Sequence, residues 1–435
     1  MFADLIPASN GSVEWGDFDN DGDQDILQTG ANDNPYTRLY RNEGDGGFEV
    51  VEAGLEQVAA GEAVFTDYDN DGDLDIVLGG AAFDQTPVTR IYRNDGSNTW
   101  VNIEAGLPGL LSLTVDAGDY DGDGDVDLVL TGSPGEFSDG QTYIYRNEGS
   151  GTFVADDQSL INVFNGDAQW GDYDNDDDLD LLVAGIDSPY GPQRFLSLYQ
   201  NDGTGELTEG DNTGLPDGIL SFQWGDYDND GDLDLAAIGD PYVDSDNDGQ
   251  DDNPTVPQTR IYRNDLGSEA VALSAPTSLQ TQVQDNGDVT LSWQPPQSAD
   301  GPVTYNLRVS TVPQNMNVLS SMTDLVLNSR LVADNGNVGM NTSWTLRELP
   351  EGEYYWSVQT IAGNQVASAF TSEHTFTVQD EAVSADLTGD GNVDVDDLLI
   401  LLAVWGNYDA MPAADLTGDS AISVQDLLAM LSQWD

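Results

Sequence analysis

The stretch Asp67-Tyr68-Asp69-Asn70-Asp71-Gly72-Asp73-Leu74-Asp75 decides how the rest of the chain is interpreted. It places carboxylates at alternate positions, a glycine at the sixth position and an apolar run directly afterwards. Carboxylates this close together repel one another strongly unless a cation lies between them. Calcium takes roughly six to eight oxygen ligands, and Asp side chains with a backbone carbonyl can supply most of them. The stretch therefore predicts a calcium-binding loop.

The same acidic pattern recurs five times in the first 268 residues. The copies occupy residues 17–25, 67–75, 119–127, 172–180 and 226–234, and they start 50, 52, 53 and 54 residues apart. A regular period of this length indicates a repeat architecture. The 268 residues are therefore best read as five similar units.

Each acidic stretch lies among four short segments with the character of strands. One segment precedes the loop and contains Trp15 in the first unit, and one follows the loop and ends in glycine. A third has the pattern Thr-Arg-Leu-Tyr-Arg-Asn at residues 37–42, and a fourth contains Phe48. Short apolar or alternating runs closed by Gly or Asn-x-Gly predict strands and tight turns. Four short strands in each of several consecutive units are typical of a β-propeller.

With their Asp-x-Asp-x-Asp-Gly-x-x-Asp loops, these units resemble the FG-GAP/VCBS repeats of integrin α-like propellers. The resemblance implies one calcium ion in each loop. Side chains at positions one, three, five and nine would bind it, together with the backbone carbonyl at position seven. In order of position, the residues implied are Asp17, Asp19, Asp21, Asp23 and Asp25; Asp67, Asp69, Asp71, Asp73 and Asp75; Asp119, Asp121, Asp123, Asp125 and Asp127; Asp172, Asp174, Asp176, Asp178 and Asp180; and Asp226, Asp228, Asp230, Asp232 and Asp234.

Residues 244–252 repeat the same ligand pattern inside the last unit, and they predict an inserted calcium loop. Its candidate ligands are Asp244, Asp246, Asp248, Gln250 and Asp252. A polar loop without metal is the other interpretation.

Two smaller domains are predicted after the repeats. Residues 275–379 contain short alternating strands around Trp293, Trp344 and Trp356, which predict a β-sandwich that resembles a fibronectin type III domain. Residues 384–435 contain a duplicated acidic loop that runs into a helix, and this unit resembles a type I dockerin with EF-hand-like loops. That resemblance implies two further calcium sites. Their residues would be Asp386, Thr388, Asp390, Asn392, Asp394 and Asp397, and Asp415, Thr417, Asp419, Ala421, Ser423 and Asp426.

The predicted fold class is therefore mainly β, with a five-repeat calcium-loop β-propeller over residues 1–268, the sandwich, and a small α-helical C-terminal domain. The phase of the repeat leaves the first unit without a strand equivalent to Phe48 ahead of its loop. Either a segment such as residues 269–273 closes the ring, or the array is open at both ends. An open end is an edge that another copy of the chain could cover.

The charge balance excludes several classes of partner. The chain has 80 acidic and 11 basic residues, a net charge of −69, so electrostatics disfavour nucleic acid and anionic membranes.

The chain has no cysteine, so disulfides supply no stability. No apolar run is long enough to span a membrane, and the N-terminus lacks the pattern of a signal peptide. About eight calcium sites would offset only a minor part of the charge, which suggests a salty or calcium-rich exterior.

These features predict a non-catalytic, calcium-binding protein of the extracellular space or cell surface, used for adhesion or structural assembly. Its expected partners are other copies of itself, joined head to tail as a surface fibre, or another surface protein. The alternative is a carbohydrate-binding or carbohydrate-active protein docked through its C-terminal domain, with glycan as the partner.

Overall fold

The computed structural model describes residues 5–44, 47–149, 151–176, 178–190, 193–210, 215, 218–228, 232–239, 258–264, 273–284, 287–296, 303–321, 323–324, 329–330, 336–347, 349–364, 366–378, 385, 387–388, 393, 395–406, 414 and 421–432. Strands dominate this part of the chain, and two short helices follow them. The structure confirms a mainly β chain built from repeated antiparallel sheets. That these sheets form a propeller, closed or open, stays a prediction.

The repeats form one sheet each, which we call units 1 to 5. The strands of units 1 and 2 are β1 Val13–Gly16, β2 Asp25–Asn32, β3 Asn34–Asn42, β4 Phe48–Val51, β5 Ala63–Thr66, β6 Asp75–Ala81, β7 Pro87–Asn94 and β8 Trp100–Asn102. Those of units 3 to 5 are β9 Leu111–Gly118, β10 Asp127–Ser133, β11 Gln141–Asn147, β12 Phe153–Asp156, β13 Phe164–Gly171, β14 Asp180–Ile186, β15 Arg194–Asn201, β16 Leu207–Glu209, β17 Ile219–Gly225, β18 Asp234–Gly239 and β19 Gln258–Tyr262.

Within each sheet the strands lie in chain order, and every neighbouring pair is antiparallel. Units 1 to 4 each have four strands, and unit 5 has three among the described residues. The expectation that the first unit lacks a strand is therefore wrong. Its fourth strand is β4, which comes after the loop of that unit rather than before it.

Neighbouring units pack face to face through shared apolar cores. The second strand of units 1 to 4 is largely buried, and β6 is buried along its whole length. Val77 and Ile91 of unit 2, for example, belong to one core with Leu113 and Val115 of unit 3. Burial on both faces explains why the strands after the loops are continuous apolar runs and do not alternate.

A buried asparagine also joins each unit to the one before it. The Asn147 side chain at the end of β11 donates to the backbone carbonyl of Tyr68, in the loop of unit 2, at 2.6 Å. Asn94, Asn201 and Asn264 make the same hydrogen bond with the loops of units 1, 3 and 4. The last residue of the Tyr-Arg-Asn pattern therefore fixes the spacing between units.

Two further sheets enclose a separate core after the repeats. The strands are β20 Thr277–Val283, β21 Val289–Gln294, β22 Val303–Ser310, β23 Thr323–Asp324, β24 Ser329–Arg330, β25 Ser343–Leu346, β26 Gly352–Ala362 and β27 His374–Val378. One sheet has the order β20-β21-β25 and the other β22-β26-β27, while β23 and β24 pair with each other. Trp293, Trp344 and Trp356 are buried in the core that these sheets share, as the sequence predicts.

Two helices, α1 Val395–Ala403 and α2 Val424–Ser432, form a small C-terminal core. Leu401 and Met430 lie at the centre of this core, with Leu398 and Leu427 partly buried against it. Leu399, Leu402 and Leu428, by contrast, lie on the exposed surface, so only one face of each helix is used in packing.

Substituting Asn147 with alanine should lower the free energy of unfolding by about 1–3 kcal/mol, because it leaves a buried carbonyl without its donor. Asn42 is a matched control, since its side chain donates to Gln24 within its own unit. Urea denaturation of Asn147→Ala and Asn42→Ala at low protein concentration would measure the difference. Equal losses in the two variants would contradict the role assigned to this hydrogen bond.

Candidate metal sites in the acidic loops

Each acidic loop connects the first and second strands of its unit, and its own carboxylates shape it. In unit 2, Asp67 accepts hydrogen bonds from the backbone N–H groups of Asp71 at 3.1 Å and Gly72 at 2.8 Å. Asp71 accepts from the N–H of Asp73 at 2.9 Å. Gly72 has a φ of +93°, a conformation that favours glycine. The glycine at the sixth position therefore permits the turn that directs these N–H groups toward the first carboxylate.

The ninth aspartate of each loop joins the loop to the third strand. Asp75 accepts from the backbone N–H of Tyr68 at 3.2 Å and from that of Asn94, at the end of β7, at 2.7 Å. The same pair of hydrogen bonds is made by Asp25, Asp127, Asp180 and Asp234. This carboxylate therefore stabilises the fold through its hydrogen bonds, whether or not it also binds a metal ion.

In all five loops, three carboxylates converge closely enough to share one ion. One oxygen from each residue of a set lies within 4.8 Å of the others. The sets are Asp17, Asp19 and Asp25; Asp67, Asp69 and Asp71; Asp119, Asp121 and Asp127; Asp172, Asp174 and Asp180; and Asp226, Asp228 and Asp234. The structure therefore brings together predicted ligands at positions one, three, and five or nine.

The aspartate at the third position of every loop carries a buried oxygen that accepts no hydrogen bond from the described residues. This atom is Oδ1 of Asp19, Asp69, Asp121, Asp174 and Asp228. A buried polar atom without a partner costs roughly 1–3 kcal/mol, so such atoms are uncommon and need a reason. Its recurrence at one position in five loops is explained if the oxygen faces a bound cation. Calcium fits this all-oxygen site.

The seventh aspartate has a role that the sequence interpretation missed. Its side chain lies outside the converging sets, and in units 2, 3 and 5 it accepts from an asparagine in the preceding loop. Asn20 donates to Asp73 at 2.8 Å, and Asn175 donates to Asp232 at 2.6 Å. Asn70 and Asp125 make the equivalent contact. The signal was present in the sequence, because asparagine recurs at the fourth position of the loop, with Gly122 as the exception.

Burial and mutual repulsion make these carboxylates hard to ionise. Burial, followed by the charges of neighbouring aspartates, raises the pKa of Asp75 to about 9 and that of Asp25 to about 8. The same causes raise the pKa of Asp127 and Asp180 to about 8. At neutral pH, a loop of this kind must hold either protons or a cation.

The two-sheet region contacts the same loops. Asn341 donates to Oδ2 of Asp67 at 2.8 Å, and Arg347 reaches both carboxylate oxygens of Asp73 at 2.7 and 2.8 Å. Asn364 donates to Asn175 in the loop of unit 4 at 2.5 Å. These contacts were missed because no local pattern relates residues that lie so far apart in the chain. They place the loops between the repeats and the following domain.

Several arginines of the repeat pair with nearby carboxylates. Arg41 contacts Glu43 and Glu49, and Arg263 contacts Asp228 at 2.7 Å. These pairs lie at the surface, where each contributes less than about 1 kcal/mol.

Several predicted ligands lie outside the described residues. They are Asp230, Asp244, Asp246, Asp248, Gln250, Asp252, Asp386, Asp390, Asn392, Asp394, Asp415, Thr417 and Asp419. In the C-terminal region, Asp397 accepts from the N–H of Thr388 at 2.8 Å, and Asp426 accepts from the N–H of Ser423 at 2.6 Å. Both carboxylates are fully buried and occupy the twelfth position of their loops. The duplication that the sequence predicts is therefore visible at this position.

Comparison with known families decides the identity of the repeats. The family model of the FG-GAP-like repeat matches residues 17–78, 67–130, 119–183 and 172–237, and these matches together span just over half of the chain. The chain belongs to the FG-GAP-like repeat family. Each match begins at one acidic loop and ends within the strand that follows the next loop, which agrees with the FG-GAP/VCBS resemblance of the sequence.

Two solved structures that match this FG-GAP-like repeat chain resemble it only weakly. A thermostable family-43 glycoside hydrolase is 11% identical, with 60% of this chain and 94% of that chain covered at a TM-score of 0.30. A mutant of Aleuria aurantia lectin, in complex with α-methyl-L-fucoside, is 12% identical, with 66% of this chain and 90% of that chain covered at a TM-score of 0.33. Scores this low support no transfer of activity. No curated protein matches the chain.

Within the described residues, no helix has the length and apolar character needed to cross a membrane.

Replacing Asp69 with asparagine should remove calcium from the loop of unit 2, because a neutral amide replaces the carboxylate that carries the unpartnered oxygen. Calcium per chain, measured by mass spectrometry under native conditions, should fall by about one ion. Asp84→Asn is the matched control, because Asp84 is exposed and its carboxylate bonds to Thr86 outside the loop. An unchanged calcium count in Asp69→Asn would show that this oxygen is not a ligand.

Proposed function

We propose that this protein is a calcium-binding, non-catalytic structural or adhesion protein of the cell exterior. In this proposal, calcium ions in the acidic loops hold the five units in one propeller-like array and fix the following domain against it. The observation that carries the proposal is the unpartnered, buried Oδ1 of the aspartate at the third position in all five loops. Membership of the FG-GAP-like repeat family supports it.

The non-catalytic part of the proposal is supported by how the loop carboxylates are already used. Asp67 and Asp75 each accept two backbone hydrogen bonds, and Asp73 accepts from Asn20 and pairs with Arg347. An acid–base catalyst needs a carboxylate that is free to exchange its proton with a substrate. The loop carboxylates are instead fixed as acceptors in the fold.

The extracellular part of the proposal is supported by charge and composition. The chain carries a net charge of −69, and it has no cysteine to stabilise it by disulfides. Calcium would supply that stability where calcium is abundant, which is outside cells. We extend the proposal to the C-terminal domain, where Asp397 and Asp426 would each complete a dockerin-like calcium loop. The two-sheet domain, in this proposal, is a fibronectin type III-like spacer.

The direct test is thermal unfolding of the full-length protein in calcium and after chelation. A ligand that binds only the folded state stabilises it by roughly 2.7 kcal/mol per site at a concentration one hundred times its Kd. Several sites together should therefore produce a large loss of stability when calcium is removed, and protease sensitivity at the loops should increase. An unfolding temperature that does not respond to chelation would overturn the proposal.

The pH dependence after chelation provides an independent check. The raised pKa values mean that the folded, ion-free loops bind more protons than the unfolded chain does. Their contribution to stability is therefore greatest at low pH and is lost as the pH rises toward the folded-state values of about 8 to 9. In chelator, the unfolding temperature should rise as the pH falls from about 8 to 6, whereas in calcium the rise should be much smaller. A chelated protein whose unfolding temperature drops as the pH is lowered over this window would contradict the account.

A second candidate function, glycan binding, is favoured by one specific observation. Phe137 and Tyr190 are both exposed, and their rings stack at 6.4 Å on loops of units 3 and 4. A hydrogen bond of 2.7 Å from the N–H of Gly140 to the carbonyl of Asp187 joins the two loops. Adjacent exposed aromatic rings suit the apolar face of a sugar.

A glycan array would test this candidate. Binding that is lost in Phe137→Ala and Tyr190→Ala, but kept in Phe83→Ala, would establish the aromatic pair as a sugar site. Phe83 is the control because it is similarly exposed on the corresponding loop of unit 2. If no glycan bound, glycan binding would be rejected and the structural role would be the one remaining proposal.

A further inference from the structure

The four contacts between neighbouring units all use the same two faces. We call the face that meets the following unit the trailing face, and the face that meets the preceding unit the leading face. The trailing face presents an apolar residue of the third strand and the aromatic residue at the second position of the loop. The leading face presents the first-strand aromatic and its neighbours. Each of the four shared cores of the array combines one trailing face with the leading face of the next unit.

Inside the array these positions are buried, apart from Phe65 and Tyr173, which are partly buried against the shared cores. The third-strand residues Leu39, Ile91, Ile144 and Leu198 are no more than 5% exposed. The loop aromatics Phe18, Tyr68 and Tyr120 are no more than 2% exposed. On the leading faces, Trp170 and Trp224 are less than 9% exposed.

The trailing face of unit 5 is uncovered at the same positions. Ile261 is equivalent to Leu39 and is 58% exposed, and Tyr227 is equivalent to Phe18 and is 54% exposed. Ile238 in β18 adds a third exposed apolar side chain on this face. The end of the array therefore presents a face whose equivalents are all interior.

The leading face of unit 1 is uncovered as well. Trp15 is equivalent to Trp170 and is 54% exposed, and Val13, which is also exposed, is equivalent to the buried Ala168. The ring of Phe48 lies 6.5 Å from that of Trp15 and extends the apolar surface. Because both end faces stay exposed in the same chain, they do not cover each other.

We propose that the leading face of unit 1 in one copy of this chain packs on the trailing face of unit 5 in a second copy. The partner that covers each end face is a second copy of this chain, because the two end faces are the two halves of a contact that the chain makes four times internally. Tyr227 of one copy would meet Trp15 of the next as Tyr120 meets Trp170, whose rings stack at 5.0 Å. Two different faces meet, so the contact is head to tail and each added copy leaves the next face free.

The polar groups at the two ends suit this contact. Within the array, the first-strand residue just before the position of Val13 accepts a backbone N–H from the following unit. Ser12 accepts from Ala63 at 3.0 Å in this way, and Asp167 accepts from Phe222 at 3.2 Å. In unit 5 this position is Ser221, which is exposed, and the equivalent N–H in unit 1 belongs to Val13. A neutral hydroxyl at this position avoids adding a buried charge between two chains that each carry −69.

This inference deepens the structural role proposed above and rests on it, since calcium must first organise the array. Its test uses two variants of the full-length chain in calcium: Trp15→Glu, which blocks the leading face of unit 1, and Ile261→Glu, which blocks the trailing face of unit 5. Phe83→Glu is the control, because it places the same charge on an exposed aromatic position away from both ends. Sedimentation velocity and electron microscopy would give the size of the assemblies.

The unmodified chain and Phe83→Glu should form linear assemblies that grow with concentration, while each end variant alone should stay monomeric. A mixture of the two end variants should stop at dimers, because only one intact pair of faces remains. A chain that stays monomeric in calcium would overturn the inference. So would assemblies that persist in both end variants, which would point to another surface such as exposed Leu399 and Leu428.

The calcium count of the same samples separates this failure from failure of the proposed function. Monomers with a full set of ions would contradict only the contact between copies. Monomers without bound calcium would contradict both.

Discussion

Every unit of the array depends on a buried carboxylate at the ninth position of its loop. This single side chain accepts hydrogen bonds from the start of the loop and from the end of the third strand, as Asp75 does from Tyr68 and Asn94. It therefore fixes the loop against the sheet. It also concentrates negative charge in a place that water reaches poorly, and burial raises the pKa of Asp75 to about 9. The geometry that folds the loop therefore also creates a site that must hold either protons or a cation at neutral pH.

Hydrogen bonds connect these loops to the rest of the molecule. Asn20 and Asn70 join their loops to the next ones, and Asn94 and Asn147 join their sheets to the preceding loops. Because Asn341 contacts Asp67, the following domain is held by one of the residues that converge on the candidate metal position. In the proposed calcium-bound protein, loss of an ion from one loop should therefore loosen contacts on both sides of it.

Much of the fold follows from the sequence because the repeat makes each pattern visible five times. The loops, the strands around Trp15, Phe48 and their equivalents, and the buried tryptophans Trp293 and Trp356 were all predicted from local patterns. Contacts between distant segments, such as Arg347 with Asp73, were not predictable, because no local pattern encodes them. The prediction that the first unit lacks a strand was wrong, because spacing alone cannot say whether Phe48 completes its own sheet or the next one.

The central claim is that the unpartnered oxygen in each loop is a calcium ligand. A crystal structure of the full chain grown with calcium, with anomalous scattering used to locate the ions, tests it most directly. The account predicts an anomalous peak within about 2.3–2.6 Å of Oδ1 of Asp19, Asp69, Asp121, Asp174 and Asp228. Loops without anomalous peaks, in which these oxygens bond only to water or to protein donors, would contradict it.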